Sequence, residues 1–363
     1  MVSSTPVSTP WWSWVWPLLA WVVLGIAVLG GAMSGVVVTA AEIVLIATVF
    51  AAVYHAEVVA HRVGEPLGTL VLAVAVTIIE VALIVSVMIA HPAEKAGLAR
   101  DTVFAAVMLV CNGIVGLCLL VGGARHREQG FQAQGANAAL AVLAALTTLS
   151  LIIPNYTTTT VGPEFSTPQL IFAGTASLVL YGSFVFIQTI RHRDYFLPNG
   201  GGNEETHAPP PSTAIALTSA ALLFVSLVAI VGLAKALTPT VEQGLSWLGA
   251  PKAVVGIVIA ALVLLPEGTA ALRAAHANRL QTSLNLALGS ALASIGLTIP
   301  AVAVVSVVIG QPLALGLDTK SEILLALTLL VGVVTLGTGR TTVLQGMVHL
   351  VILAAFLFLA VVP

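Results

Sequence analysis

The sequence predicts an all-α polytopic membrane protein of about eleven transmembrane helices, and three observations carry that expectation. Hydrophobic residues make up 58% of the chain and charged residues only 8%, with a mean hydropathy of +1.07. Soluble domains carry roughly 25% charged residues, so this chain could not cover its own surface with polar groups. Apolar runs recur along the chain, each close to the about 20 residues that cross a hydrocarbon core as a helix. Finally, Trp11, Trp12, Trp14 and Trp16 crowd the first run, in the manner of a membrane-interface belt.

The spans follow in order, with breaks where charge, Pro or Gly cluster. The first, about 14–33, has no Lys or Arg in the ten residues that open the chain; a secretory signal starts with positive charge, so this run reads as a retained span. Spans at about 36–59 and 66–90 are parted by His61, Arg62, Gly64 and Glu65. Lys95, Arg100 and Asp101 precede a span at 102–123, which Arg125 and Arg127 close. Spans at 136–153 and 168–190 complete the first half. Residues 191–212 contain "NGGGNEETHAPPP", and Gly, Pro and charge together predict a flexible linker. Beyond it lie spans at 213–237, 252–272, 281–309, 321–338 and 341–361, the last two parted by the Gly337–Arg340 turn. Cys111 and Cys118 sit seven apart in one span, too far along a helix to bond, and read as packing residues.

If the N-terminus is cytoplasmic, its side of the membrane holds Arg62, Arg125, Arg127, Arg191, Arg193, Arg273, Arg279 and Arg340, eight cations. The other side holds Lys95, Arg100, Lys235, Lys252 and Lys320, five. The excess favours a cytoplasmic N-terminus and linker and an outside C-terminus, in an inner (plasma) membrane. The expected organisation is an extra N-terminal helix in 1–35, a five-helix repeat in 36–190, the linker 191–212 and a second five-helix repeat in 213–363. Five is odd, so the second group starts on the opposite face from the first. Two related groups would then form an inverted repeat, with a substrate site near the midplane.

Ionisable groups inside hydrocarbon are costly, so they mark where function is to be sought. Glu80 lies in the second span of the first group and Glu267 in the second span of the second. Both are candidate cation- and proton-binding residues, and each also has a plainer reading as an acid bonded to a neighbouring helix. A hard cation such as Ca²⁺ takes 6–8 oxygens from carboxylates, carbonyls, amides and water. Candidate supporting ligands are Thr77, one turn before Glu80, and Asn112, Ser290 and Ser294 in the third span of each group. Each hydroxyl has a plainer reading too, bonded back to its own helix or packed between helices. Pro266 cannot donate to the Leu262 carbonyl, which loosens the helix beside Glu267. His349 in the last span reads as a proton relay or, more simply, as an internally bonded histidine.

At "GEPLGTLVLAVAVTIIEVALI" and again at "LVLLPEGTAALRAAHANRLQTSLNLALGSALASIGLTIP", the chain resembles the ChaA-type calcium(sodium)/proton antiporters of the cation/calcium exchanger superfamily. The late "GTGRTTVLQGMVHL" resembles that family too. The resemblance implies a ten-helix exchanger core behind one extra helix, with Glu80 and Glu267 as the acids of two signature repeats binding cation or proton in turn. It implies Ca²⁺, and Na⁺ or K⁺, as the cations moved against H⁺. The central linker has only Asp194, Glu204 and Glu205 where related proteins carry an acidic loop, and loop-based regulation is not expected.

The leading expectation is therefore secondary antiport without cofactor, the bilayer being the chain's one constant partner. The competing classes are a cation channel and an integral-membrane enzyme or scaffold. No P-loop, HExxH, nucleophile elbow or dinucleotide fingerprint is present, and no basic stripe suggests nucleic acid.

Overall fold

The computed structural model describes residues 9–29, 35–64, 67–90, 96–197, 210–247, 253–310 and 313–362. Its α-helices are α1 Trp11–Leu29, α2 Gly35–Val63, α3 Leu67–Ala90, α4 Leu98–Met108, α5 Val115–His126 and α6 Ala133–Thr147. They continue with α7 Thr167–Phe186, α8 Thr213–Trp247, α9 Ala253–His276, α10 Leu280–Ile309, α11 Thr319–Leu336 and α12 Val343–Val361. A π-helical segment, Leu109–Ile114, joins α4 to α5, so these form one span. Among the described residues ten helical runs are long and apolar enough to cross a membrane, and α3 is an eleventh run, apolar through Val71–Ser86. Each of the eleven expected spans coincides with a helical run among the described residues. Of the linker, residues 198–209, with Glu204, Glu205 and His207, lie outside the described residues. Its first part is more ordered than a flexible linker: Arg193–Phe196 forms a 3₁₀ turn with Phe196 buried.

The chain packs as two compact units, and each takes spans from both sides of the linker. One comprises Met1–Ser86 with Gly202–Gly244, the other Val87–Gly201 with Leu245–Pro363.

In the first unit, α1 lies along α2. Pro17 has no N–H, so the Ser13 carbonyl loses its helical donor. The buried His55 on α2 replaces it, its Nε2 lying 2.9 Å from that oxygen. Trp12 meets Tyr54 edge-on at 5.3 Å beside this contact. On the other side of α1, the Trp21 indole donates to the Val225 carbonyl of α8 at 3.2 Å. The Arg62 guanidinium donates to Thr213 at 2.8 Å, tying the end of α2 to the start of α8.

In the second unit, α12 packs on α5 so closely that only glycine fits. A β-carbon at Gly346 would lie 2.6 Å from the Leu120 nitrogen and 2.8 Å from the Gly116 oxygen. One at Gly123 would lie 2.7 Å from the Val343 nitrogen. Small residues let helix backbones approach in a membrane, where dispersion replaces the hydrophobic drive. The same two helices are joined at one end by a short ribbon. Strand β1, Glu128–Gly130, pairs antiparallel with β2, Arg340–Thr342, and Glu128 faces Thr342. Thr342 then opens α12 with a capping box to Gln345. On the far side of α4, α9 approaches as closely: a β-carbon at Gly256 would stand 2.8 Å from the Thr102 nitrogen.

Candidate ion-binding residues

The two predicted acids fall in different units, and each neighbourhood stands by itself. In the first unit Glu80 is at the middle of α3 and 1% exposed. Its helix has no internal proline, and the sequence around it is β-branched and aliphatic. Thr77, 8% exposed, sits a turn earlier on the same side. Its hydroxyl donates back to the Ala73 carbonyl at 2.8 Å. That spends its proton and leaves oxygen lone pairs, which is what a cation needs. The back-bonded reading and the ligand reading are thus compatible.

In the second unit Glu267 is half-buried on α9, between Pro266 and Gly268. The Leu262 carbonyl lacks its helical donor here, and the Thr269 hydroxyl donates to the Pro266 carbonyl at 2.8 Å. A β-carbon at Gly268 would lie 3.2 Å from Ile114 Cδ1. The turn carrying Glu267 therefore rests against the π-helical segment that carries Asn112. A π turn widens the helix by one residue and often marks a functional site.

Asn112 is fully buried and its amide is engaged at both ends. Its Nδ2 donates to Thr328 Oγ1 of α11 at 2.9 Å. Its Oδ1 lies 3.2 Å from His349 Nδ1 of α12. Thr328 in turn donates to the Leu324 carbonyl at 2.8 Å. Four elements are thus linked around the middle of this unit: α9 by packing, the π segment, α11 and α12 by hydrogen bonds. α10 also packs on the π segment, and it carries Ser290, half-buried, and Ser294, 5% exposed, four residues apart on one face.

Sequence reasoning singled out Asn112 and His349 separately and did not pair them. It missed Thr328, whose signal is faint: a single hydroxyl inside the apolar run "LLALTLLVG". Among the described residues no group of three or more His, Cys, Asp or Glu is gathered as for a metal ion.

Similarity to known proteins runs along nearly the whole chain. A y4hA protein of Sinorhizobium fredii, whose name assigns it provisionally to ionic transporters, is 51% identical over 360 residues, covering 98% of this chain and 97% of that one. The sodium-potassium/proton antiporter ChaA of Escherichia coli is 34% identical over 316 residues, 86% of this chain and 85% of its own. Among solved structures, the Ca²⁺/H⁺ antiporter YfkE matches with a TM-score of 0.73 at 16% identity, over 96% of this chain and 100% of that one. The family described as sodium/calcium exchanger protein matches residues 18–190 and 218–362. This chain, a multi-pass membrane protein, belongs to that family of transporters.

Proposed function

We propose that the protein is a secondary cation/proton antiporter that moves Ca²⁺, Na⁺ or K⁺ out of the cell in exchange for inward-moving protons. The observation that carries this is the pair of carboxylates, Glu80 and Glu267, each in the second span of its five-span group. Glu80 at 1% exposure is a costly group to hold charged in a membrane helix. Such an acid is stable with a proton or with a cation, and mutually exclusive occupancy is what couples two fluxes. Thr77, Asn112, Ser290 and Ser294 are the supporting oxygens in this reading. The 34% identity to a sodium-potassium/proton antiporter supports monovalent cations beside Ca²⁺. The transported ions are cargo, no resident cofactor takes part, and the protein works as a carrier rather than an enzyme. We place it in the inner membrane with the N-terminus inside and the C-terminus outside.

Everted vesicles containing the protein test this directly. A respiration-driven pH gradient should collapse on adding CaCl₂, NaCl or KCl, and only in vesicles with the protein. Cation flux without any accompanying proton movement would overturn antiport in favour of a channel. Reporter fusions at the 198–209 segment and at the C-terminus should report opposite faces of the membrane.

A further inference from the structure

The Asn112 amide is held in one orientation, and the reason can be traced to a single helical carbonyl. The Thr328 hydroxyl has one proton, which goes to Leu324 O at 2.8 Å; the Met108 thioether, 3.4 Å away, is the weaker acceptor. Thr328 Oγ1 must then accept from its other neighbour, so the Asn112 group 2.9 Å away is the NH₂. The amide oxygen is thereby turned toward His349, 3.2 Å off. Since that oxygen only accepts, the imidazole carries its proton on Nδ1. Both His349 and Asn112 are buried, at 1% and 0% exposure. Gly116 makes the contact close: a β-carbon there would lie 3.1 Å from His349 Cβ.

We propose that His349 is a positioning residue for ion binding. Its Nδ1–H holds the Asn112 amide oxygen-first, so that this oxygen keeps a lone pair for the transported cation and the NH₂ is turned away. A free amide could present either end, and an NH₂ group repels a cation. The inference rests on the antiport reading above and on Asn112 as one of the oxygens serving Glu267. It concerns hydrogen-bond donation by the ring and requires no change in its charge.

The test compares two amides that imitate different edges of the imidazole. His349→Asn places an N–H near the position of Nδ1, whereas His349→Gln places it out where Nε2 lies. In everted vesicles, titrating whichever of CaCl₂, NaCl or KCl gives the wild type its strongest response, His349→Asn should keep a near-wild-type half-saturating concentration. His349→Gln should raise it about fivefold, the worth of one lost hydrogen bond to a ligand, with a smaller change in maximal rate. Rates are compared per amount of protein inserted. Thr328→Ser should resemble wild type and Thr328→Val should resemble His349→Gln. The double variant His349→Gln with Thr328→Val should be no worse than either alone, because both act through one amide. Equal behaviour of His349→Asn and His349→Gln, whether both active or both impaired, would overturn the inference. So would additive effects in the double variant. A wild-type protein with no cation-dependent proton movement would instead overturn the antiport reading itself.

Discussion

The two acid-bearing helices solve one problem with opposite backbones. In α3, Glu80 sits in an unbroken helix with no proline inside it, and its nearby oxygen comes from a side chain, Thr77. In α9, Glu267 follows Pro266, and the Leu262 carbonyl is left without its helical donor. The first helix offers a regular wall with a hydroxyl, the second a loosened wall with a backbone oxygen. A carbonyl freed at membrane depth is tolerated where it lines a cavity or finds a protein partner. The contrast teaches that two acids in matched spans need not share the same backbone surroundings.

Removing the acids has the largest expected effect and tests whether the two helices are equivalent at all. Glu80→Gln and Glu267→Gln should each abolish cation-dependent proton movement in vesicles, while insertion stays normal. Neutralising an acid within a membrane span removes a desolvation cost, so folding should not suffer. Normal transport by one of the two variants would break the pairing and leave a single-acid site.

The next effect separates the backbone oxygen from the hydroxyl. Pro266→Ala restores an N–H to pair with the Leu262 carbonyl, and the half-saturating cation concentration should rise about fivefold, near the worth of one hydrogen bond. Thr77→Val, which removes a proposed ligand oxygen from a regular helix, should act more weakly. A larger effect at Thr77 than at Pro266 would reverse the assignment of the two walls.

Gly268→Ala probes the packing under Glu267 rather than its chemistry. The added carbon would lie 3.2 Å from Ile114 Cδ1, the tip of a flexible side chain. Thermal unfolding in detergent should show a loss of about 1 kcal/mol or less, with cation dependence shifted slightly.

The smallest effect on transport is expected at Asp318, the N-cap of α11, whose carboxylate accepts from the Ser321 N–H at 2.7 Å. Burial alone would raise its pKa, but the Ser321 hydrogen bonds, with Lys320 and Arg100 nearby, hold it below the ordinary 3.8. The cap therefore stabilises the fold above the carboxylate range and is lost as pH falls through the depressed value. Asp318→Ala should cost about 1 kcal/mol at neutral pH, a difference that fades below that range, while half-saturation stays unchanged. A shift in half-saturation would show that the cap reaches the ion-binding residues.

Much of this was legible because a bilayer leaves few options. Hydropathy and the Trp, Arg and Pro markers placed eleven spans, and the cost of buried charge picked out Glu80 and Glu267. What stayed hidden depends on register between distant segments. The π turn at Leu109–Ile114 has no periodic signature, since one extra residue in a turn does not disturb an apolar run. The glycines of α5 and α12 are conspicuous singly, but nothing in the sequence says that Gly116 and Gly346 face each other. His349 was readable as internally bonded, and its partner was not, because Asn112 lies 237 residues away. The grouping of spans into two compact units likewise cuts across the linker, since packing neighbours need not be sequence neighbours.

The ribbon and glycine seam that clamp α12 onto α5 also set a timetable for synthesis. Asn112 leaves the ribosome 237 residues before His349, a delay of roughly 10–50 s at about 5–20 residues per second. Throughout that interval the fourth span waits in the membrane with its amide lacking the imidazole and its glycine groove unfilled. The arrival of α12 fills that groove and brings the imidazole to the amide. A chain cut before Val343 would have every earlier span inserted and this groove still open, a product that quality control would have to recognise by that groove.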